Sequence, residues 1–217
     1  MTAGAWLWCA CLLAELGALV AAVRAHRLGR VQLPIVYLLT LAFDGDLVIA
    51  LGRELLLDGA RRPFVGLARA WYHVETALVL AWPCGLALAC VRLFGWGERG
   101  WWQGRPVATV AGFWAGGAVA LAGLHPLPRG AVAAAILAVA LVAVVVAAVA
   151  VVRGWRRTWG LEHAALVVLV AIELVVVLLG PFSHDLFRDW PILARLPYAL
   201  GFGAVAAVLL VRPLDTR

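Results

Sequence analysis

The sequence predicts an all-α polytopic membrane protein: a bundle of about seven transmembrane helices forming one domain over residues 1–217. Three observations carry this. The chain is 65% hydrophobic and only 14% charged, with a mean hydropathy of +0.98, whereas a soluble domain is about 45–50% apolar and about 25% charged. The apolar residues fall into seven runs, about 4–23, 33–57, 66–92, 106–124, 130–152, 161–180 and 194–212, each near the ~20 residues that carry a helix across a bilayer. The connections between them are short and rich in Arg, Gly and Pro. Helices are the expected form because a backbone in hydrocarbon must satisfy its polar groups within the segment.

The first run has no basic residue before it and carries Glu15, so it reads as an uncleaved helix and not a signal peptide. The second contains Leu41-Ala-Phe-Asp-Gly-Asp-Leu-Val-Ile-Ala-Leu51, with Asp44 and Asp46 near its centre. Trp82-Pro83 should kink the third, because proline removes a helical hydrogen bond. The fourth holds Gly112-Phe-Trp-Ala-Gly116, a GxxxG that permits close helix approach. The fifth, Ala131 to Val152, is nearly all Ala, Val and Leu and is expected to face lipid as scaffold. Glu162-His163 opens the sixth as an interfacial helix start. No internal repeat is visible, and an odd helix count argues against a simple inverted-repeat transporter.

The chain contains no lysine, so all 18 basic residues are arginines. The first, third and fifth connections and the C-terminus hold 11 of them, the opposite side 7. This bias places the N-terminus outside and the C-terminus inside. The basic pI of about 9.9 follows from arginines between apolar runs, so nucleic acid is not an expected partner. The four cysteines, Cys9, Cys11, Cys84 and Cys90, form no CxxC and read as small buried hydrophobes. No metal and no cofactor is expected. Six tryptophans (Trp96, Trp101, Trp102, Trp155, Trp159 and Trp190) fall at interfaces, where indoles anchor helices.

Counting a rise of about 1.5 Å per residue from each helix start places Glu15, Asp44, Glu75 and Glu173 in the middle third of a core about 30 Å thick. A carboxylate there costs several kcal/mol unless protonated, paired or wetted. Each acid alone could be protonated and bonded to a neighbouring helix. A set at one level points to a working site lined by groups that share protons, hold a cation or border a wet cavity. Asp44 and Asp46 diverge by about 200° on one helix. Asp46 shares a face with Arg53, its expected ion-pair partner, which leaves Asp44 as the better catalytic candidate. Asp44, Glu75 and Glu173 are the expected catalytic acids. Phe43, Asp46, Trp71, Tyr72, His73, Trp82, Trp114 and Glu15 are the expected substrate-binding residues, with the aromatics steadying positive charge on an apolar substrate.

Retinal chemistry is excluded because a Schiff base needs lysine. Serine hydrolysis is not expected, since Ser183 is the only serine and no GxSxG surrounds it. Ala42-Phe43-Asp44, in the context Thr40 to Asp44, together with the Gly-rich, Trp-ended stretch from Gly95 to Trp101, resembles the small seven-helix membrane-bound terpene cyclases of meroterpenoid pathways. The resemblance implies that Asp44 protonates an olefin or epoxide and that Glu75 is a second acid. The family's acid in the last span has no counterpart between Arg195 and Arg212.

The expected function is therefore a membrane-embedded acid–base enzyme of cyclase or isomerase type acting on a lipid-soluble, isoprenoid-like substrate. A proton or cation transporter using the same acidic layer is the second reading, and a non-catalytic membrane subunit or receptor the third. Expected partners are membrane lipid and a hydrophobic small molecule, with a homo-oligomer left open. The expected location is a bacterial inner membrane.

Overall fold

The computed structural model describes residues 3–52, 65–94, 129–154, 160–179 and 191–211. They form six α-helices: α1 Ala3–Arg27, α2 Leu33–Gly52, α3 Val65–Leu93, α4 Arg129–Gly154, α5 Leu161–Leu179 and α6 Pro191–Leu210. Four of them contain stretches long and apolar enough to cross a membrane: Trp6–Arg27, Leu33–Gly52, Leu137–Gly154 and Leu161–Leu178. The described residues are all-helical, and their apolar helices make the chain an integral membrane protein. The expected span at 106–124, with Trp114, lies outside the described residues.

The first connection shows how local sequence ends one helix and starts the next. Gly29 adopts φ +69°, a conformation that suits glycine because it lacks Cβ. Around it Arg30 N donates to Ala25 O (2.9 Å) and Gly29 N to His26 O (2.9 Å), the paired bonds of a Schellman stop. Arg24, His26 and Arg27 in the last turn complement the helix dipole. Pro34 then falls in the first turn of α2, where its missing N–H costs nothing.

Contacts run from α1 to α2, α2 to α3, α3 to α4, α4 to α5 and α5 to α6, and α6 returns to α1; α3 also touches α5. Glycines and small residues set the approaches. A Cβ at Gly85 of α3 would lie 3.0 Å from Leu41 and 3.5 Å from Leu38 of α2. Ala143, Ala147, Ala150 and Gly154 form one stripe of α4, all buried, while Val142, Val145, Val149 and Val152 are exposed. The helix expected to be scaffold thus presents a small-residue seam to its neighbours and a valine face outward. Gly154 sits against Phe94, so α3 and α4 pack with their C-terminal ends together and run parallel.

The main buried cluster lies towards one end of the bundle. It joins Ala18, Ala22 and Ala25 of α1, Ile35 and Leu39 of α2, Leu86 and Cys90 of α3, Ala147 of α4, Leu166 and Leu169 of α5, and Phe202 and Val205 of α6. Arg24, Arg27, Arg30, Arg92 and Arg153 gather at this end. A polar latch closes it. The Glu162 carboxylate accepts the Gln32 backbone N–H at 2.7 Å and the Gln32 amide at 3.3 Å. His163 Nδ1 lies 3.2 Å from Gly160 N, which donates to it, so in the neutral ring Nε2 carries the proton and donates to Leu93 O at 3.1 Å. Because Nδ1 is an acceptor in this arrangement, its 4.0 Å approach to Glu162 Oε1 is proximity, not an ion pair. The first turn of α5 thereby ties together the α1–α2 turn and the end of α3.

Candidate functional site

Glu173 is buried, at 4% exposure, where α3, α5 and α6 meet. Trp82 Nε1 and Tyr198 Oη both donate to its Oε2, each at 2.9 Å. Each donor stands beside a proline inside its helix, Pro83 on α3 and Pro197 on α6. Phe202, one turn beyond Tyr198, packs against the Trp82 indole with ring centroids 5.7 Å apart and planes tilted by 52°. On the α5–α6 seam a Cβ at Gly201 would come within 2.7 Å of Ile172 Cγ1, so glycine there lets α6 close on α5 beside the acid. Two donors converging on one carboxyl oxygen fix that oxygen as the acceptor. A proton on the group then resides on Oε1.

A second group lies between α1 and α2. Cys11, Glu15 and Asp46 bring one ligand atom each within 4.8 Å of one another. The Cys11 thiol donates to Glu15 Oε1 at 3.4 Å, one turn along α1. Helix registers relate the two groups in depth. A Cβ at Gly45, next to Asp46, would lie 3.8 Å from Leu78, and Trp82 is level with Glu173. Leu78 and Trp82 are one turn apart on α3, so the groups differ in depth by ~6 Å while lying on different helix seams.

The remaining expected site residues are placed as follows. Asp44 is exposed and Phe43 half-buried on α2, whereas Asp46, half-buried, is the aspartate that meets Glu15. The 200° divergence along the helix accounts for the contrast. Trp71, Tyr72, His73 and Glu75 lie on α3, with side chains outside the described ones. Trp114 and Arg53 also lie outside the described residues. Sequence reasoning missed Tyr198, although Pro197-Tyr198 is an isolated polar aromatic beside a proline in an otherwise apolar span. It missed Cys11 too, although Cys11 and Glu15 have the i, i+4 spacing that puts side chains on one helix face.

No family model, no curated protein and no solved structure matches the chain.

Proposed function

We propose that this protein is an intramembrane acid–base enzyme of cyclase or isomerase type, acting on a lipid-soluble, isoprenoid-like substrate, with Glu173 as its general acid. The observation that carries the reading is the double donation from Trp82 and Tyr198 to Glu173 Oε2. It directs the acidic proton to Oε1, and the same donors stabilise the carboxylate left when the proton departs. Protonating a carbon–carbon double bond forms a C–H bond and a carbocation, and loss of a proton from an adjacent carbon restores the acid. The Trp82 and Phe202 rings beside the carboxyl would steady the cation. Asp44 and Glu75 are the further acids of this reading.

The test is turnover by the purified full-length protein of a farnesyl-substituted phenol and of its terminal epoxide. Wild type converts one of them and Glu173→Gln does not. Full turnover by Glu173→Gln removes Glu173 from the chemistry.

A proton or cation pathway is the second reading, favoured by the Cys11–Glu15–Asp46 group roughly one turn away in depth. Gradient-driven flux in liposomes, lost in Glu173→Gln without any turnover, would select it.

The same proposal includes seven spans with the basic end inside, in a bacterial inner membrane. Two observations support it. The parallel packing of α3 and α4, whose C-terminal ends meet at Phe94 and Gly154, is what a further crossing between them would produce. The arginines of α1, α3 and α4 collect at one end, as the positive-inside rule expects.

A further inference from the structure

We propose that Cys11, Glu15 and Asp46 form a binding site for a divalent transition-metal ion of the zinc type, held between the first two spans. The spacing fits coordination. Zn–S near 2.3 Å and Zn–O near 2.0 Å at a tetrahedral angle set a sulfur–oxygen edge of about 3.5 Å and an oxygen–oxygen edge of about 3.3 Å. Cys11 Sγ and Glu15 Oε1 are already 3.4 Å apart. No pair of the three ligand atoms is separated by more than 4.8 Å, so side-chain movements of about 1–1.5 Å complete the set.

The donor chemistry fits as well. One thiolate with two carboxylates suits a borderline ion better than magnesium or calcium, which take oxygen alone. Cys11 and Glu15 are buried, at 0% and 2% exposure, and two acids gathered in an apolar span are stabilised by a dication. Glu15 is partnered with Cys11 through Oε1, and its second oxygen, Oε2, is sealed from solvent. Asp46 is half-buried and supplies the accessible side of the site. Three protein ligands leave a fourth position for water or another small ligand. As the metal–sulfur bond forms, the thiol proton passes to solvent.

The site shares no residue with the Glu173 group, so it stands or falls separately from the proposed enzymatic function. The test uses chelator-washed, full-length protein in detergent, with the exposed Cys9 replaced by alanine, titrated with Co2+. The expected result is one cobalt per chain, a near-ultraviolet sulfur-to-cobalt band, and displacement by Zn2+. Cys11→Ser abolishes the band, and Asp46→Asn weakens binding about tenfold or more. Absence of stoichiometric binding overturns the proposal, as does a band that survives Cys11→Ser or an affinity unchanged in Asp46→Asn. If Cys11→Ser does not fold, Asp46→Asn decides.

Discussion

Replacing Glu173 by alanine and by glutamine separates what this side chain does for the fold from what it does for chemistry. Alanine removes the acceptor that Trp82 and Tyr198 share. In a soluble core each orphaned donor would cost about 1–3 kcal/mol. Between membrane helices the measured worth is smaller, about 0.6 kcal/mol on average and about 1.7 at most, because the unfolded helices also find partners. The membrane figure applies here, since both bonds run between apolar helices of a membrane protein, giving ~1–3 kcal/mol for the pair. The void left by the shortened side chain adds ~1 kcal/mol, so Glu173→Ala should cost about 2–4 kcal/mol. Glutamine keeps an acceptor oxygen at the same reach and should cost under about 1 kcal/mol. The assay is reversible unfolding in mixed micelles, run as a double-mutant cycle with Tyr198→Phe. A coupling of about 0.5–1.5 kcal/mol is expected. Additive behaviour, or an alanine variant as stable as the glutamine variant, would refute the assignment of Glu173 as the shared acceptor.

Three further outcomes follow from the packing. Gly201→Ala forces a methyl into Ile172 and should destabilise by about 1–3 kcal/mol; adding Ile172→Ala should recover part of the loss, and no recovery would mean that the strain lies elsewhere. Glu162→Ala removes the acceptor for two Gln32 donors, one bond short and one long, at about 2–3 kcal/mol; this lowers the midpoint of a thermal scan by about 5–10 °C, and Glu162→Gln should lower it by less than half as much. If the chain has the seven spans proposed, cysteines introduced by Gln103→Cys and His125→Cys should be labelled by an impermeant reagent from opposite faces of the membrane; labelling of both from one face contradicts seven spans.

The depth of the acids was legible in the sequence because rise along a helix is linear in residue number. Of the four acids expected at one level, Glu15 and Glu173 are buried but on different helix seams, Asp44 is exposed, and the Glu75 side chain lies outside the described ones. Their partners were not legible, because depth says nothing about rotation. An amphipathic soluble helix reveals its inward face through its polar residues. These helices are apolar all round, so that signal is missing. What fixes rotation instead is the placement of small residues: Ala18, Ala21, Ala22 and Ala25 on α1, and Ala143, Ala147, Ala150 and Gly154 on α4. Those stripes are visible in the sequence only after one knows which helix each faces. Asp44 and Asp46 show the consequence. Their divergence was certain from a two-residue spacing, but which of them meets α1 depends on the seating of Gly45 against Leu78.

The same small-residue packing explains why the acids sit where they do. Alanine and glycine seams bring the backbones close at the basic end, and the Glu162–Gln32 and His163–Leu93 bonds lock the helix ends there. A carboxyl inside that half would have to displace close-packed methyl groups, which costs 1–3 kcal/mol before any desolvation. At the border of the cluster the demands relax. Pro83 and Pro197 interrupt α3 and α6, indole and phenol donors can reach Glu173, and α1 and α2 admit Cys11, Glu15 and Asp46 side by side. A packed, latched half beside a polar border holds the acids at fixed depth on rigid supports, which is what positioned proton donors or metal ligands require. Filling the seam tests this division of labour. Ala147→Leu, about two turns from the Gly154–Phe94 contact at the latched end, should destabilise the bundle by about 1–3 kcal/mol without altering cobalt affinity at Cys11. A matching loss of cobalt binding in a variant that remains folded would show that the border is not mechanically separate from the packed half.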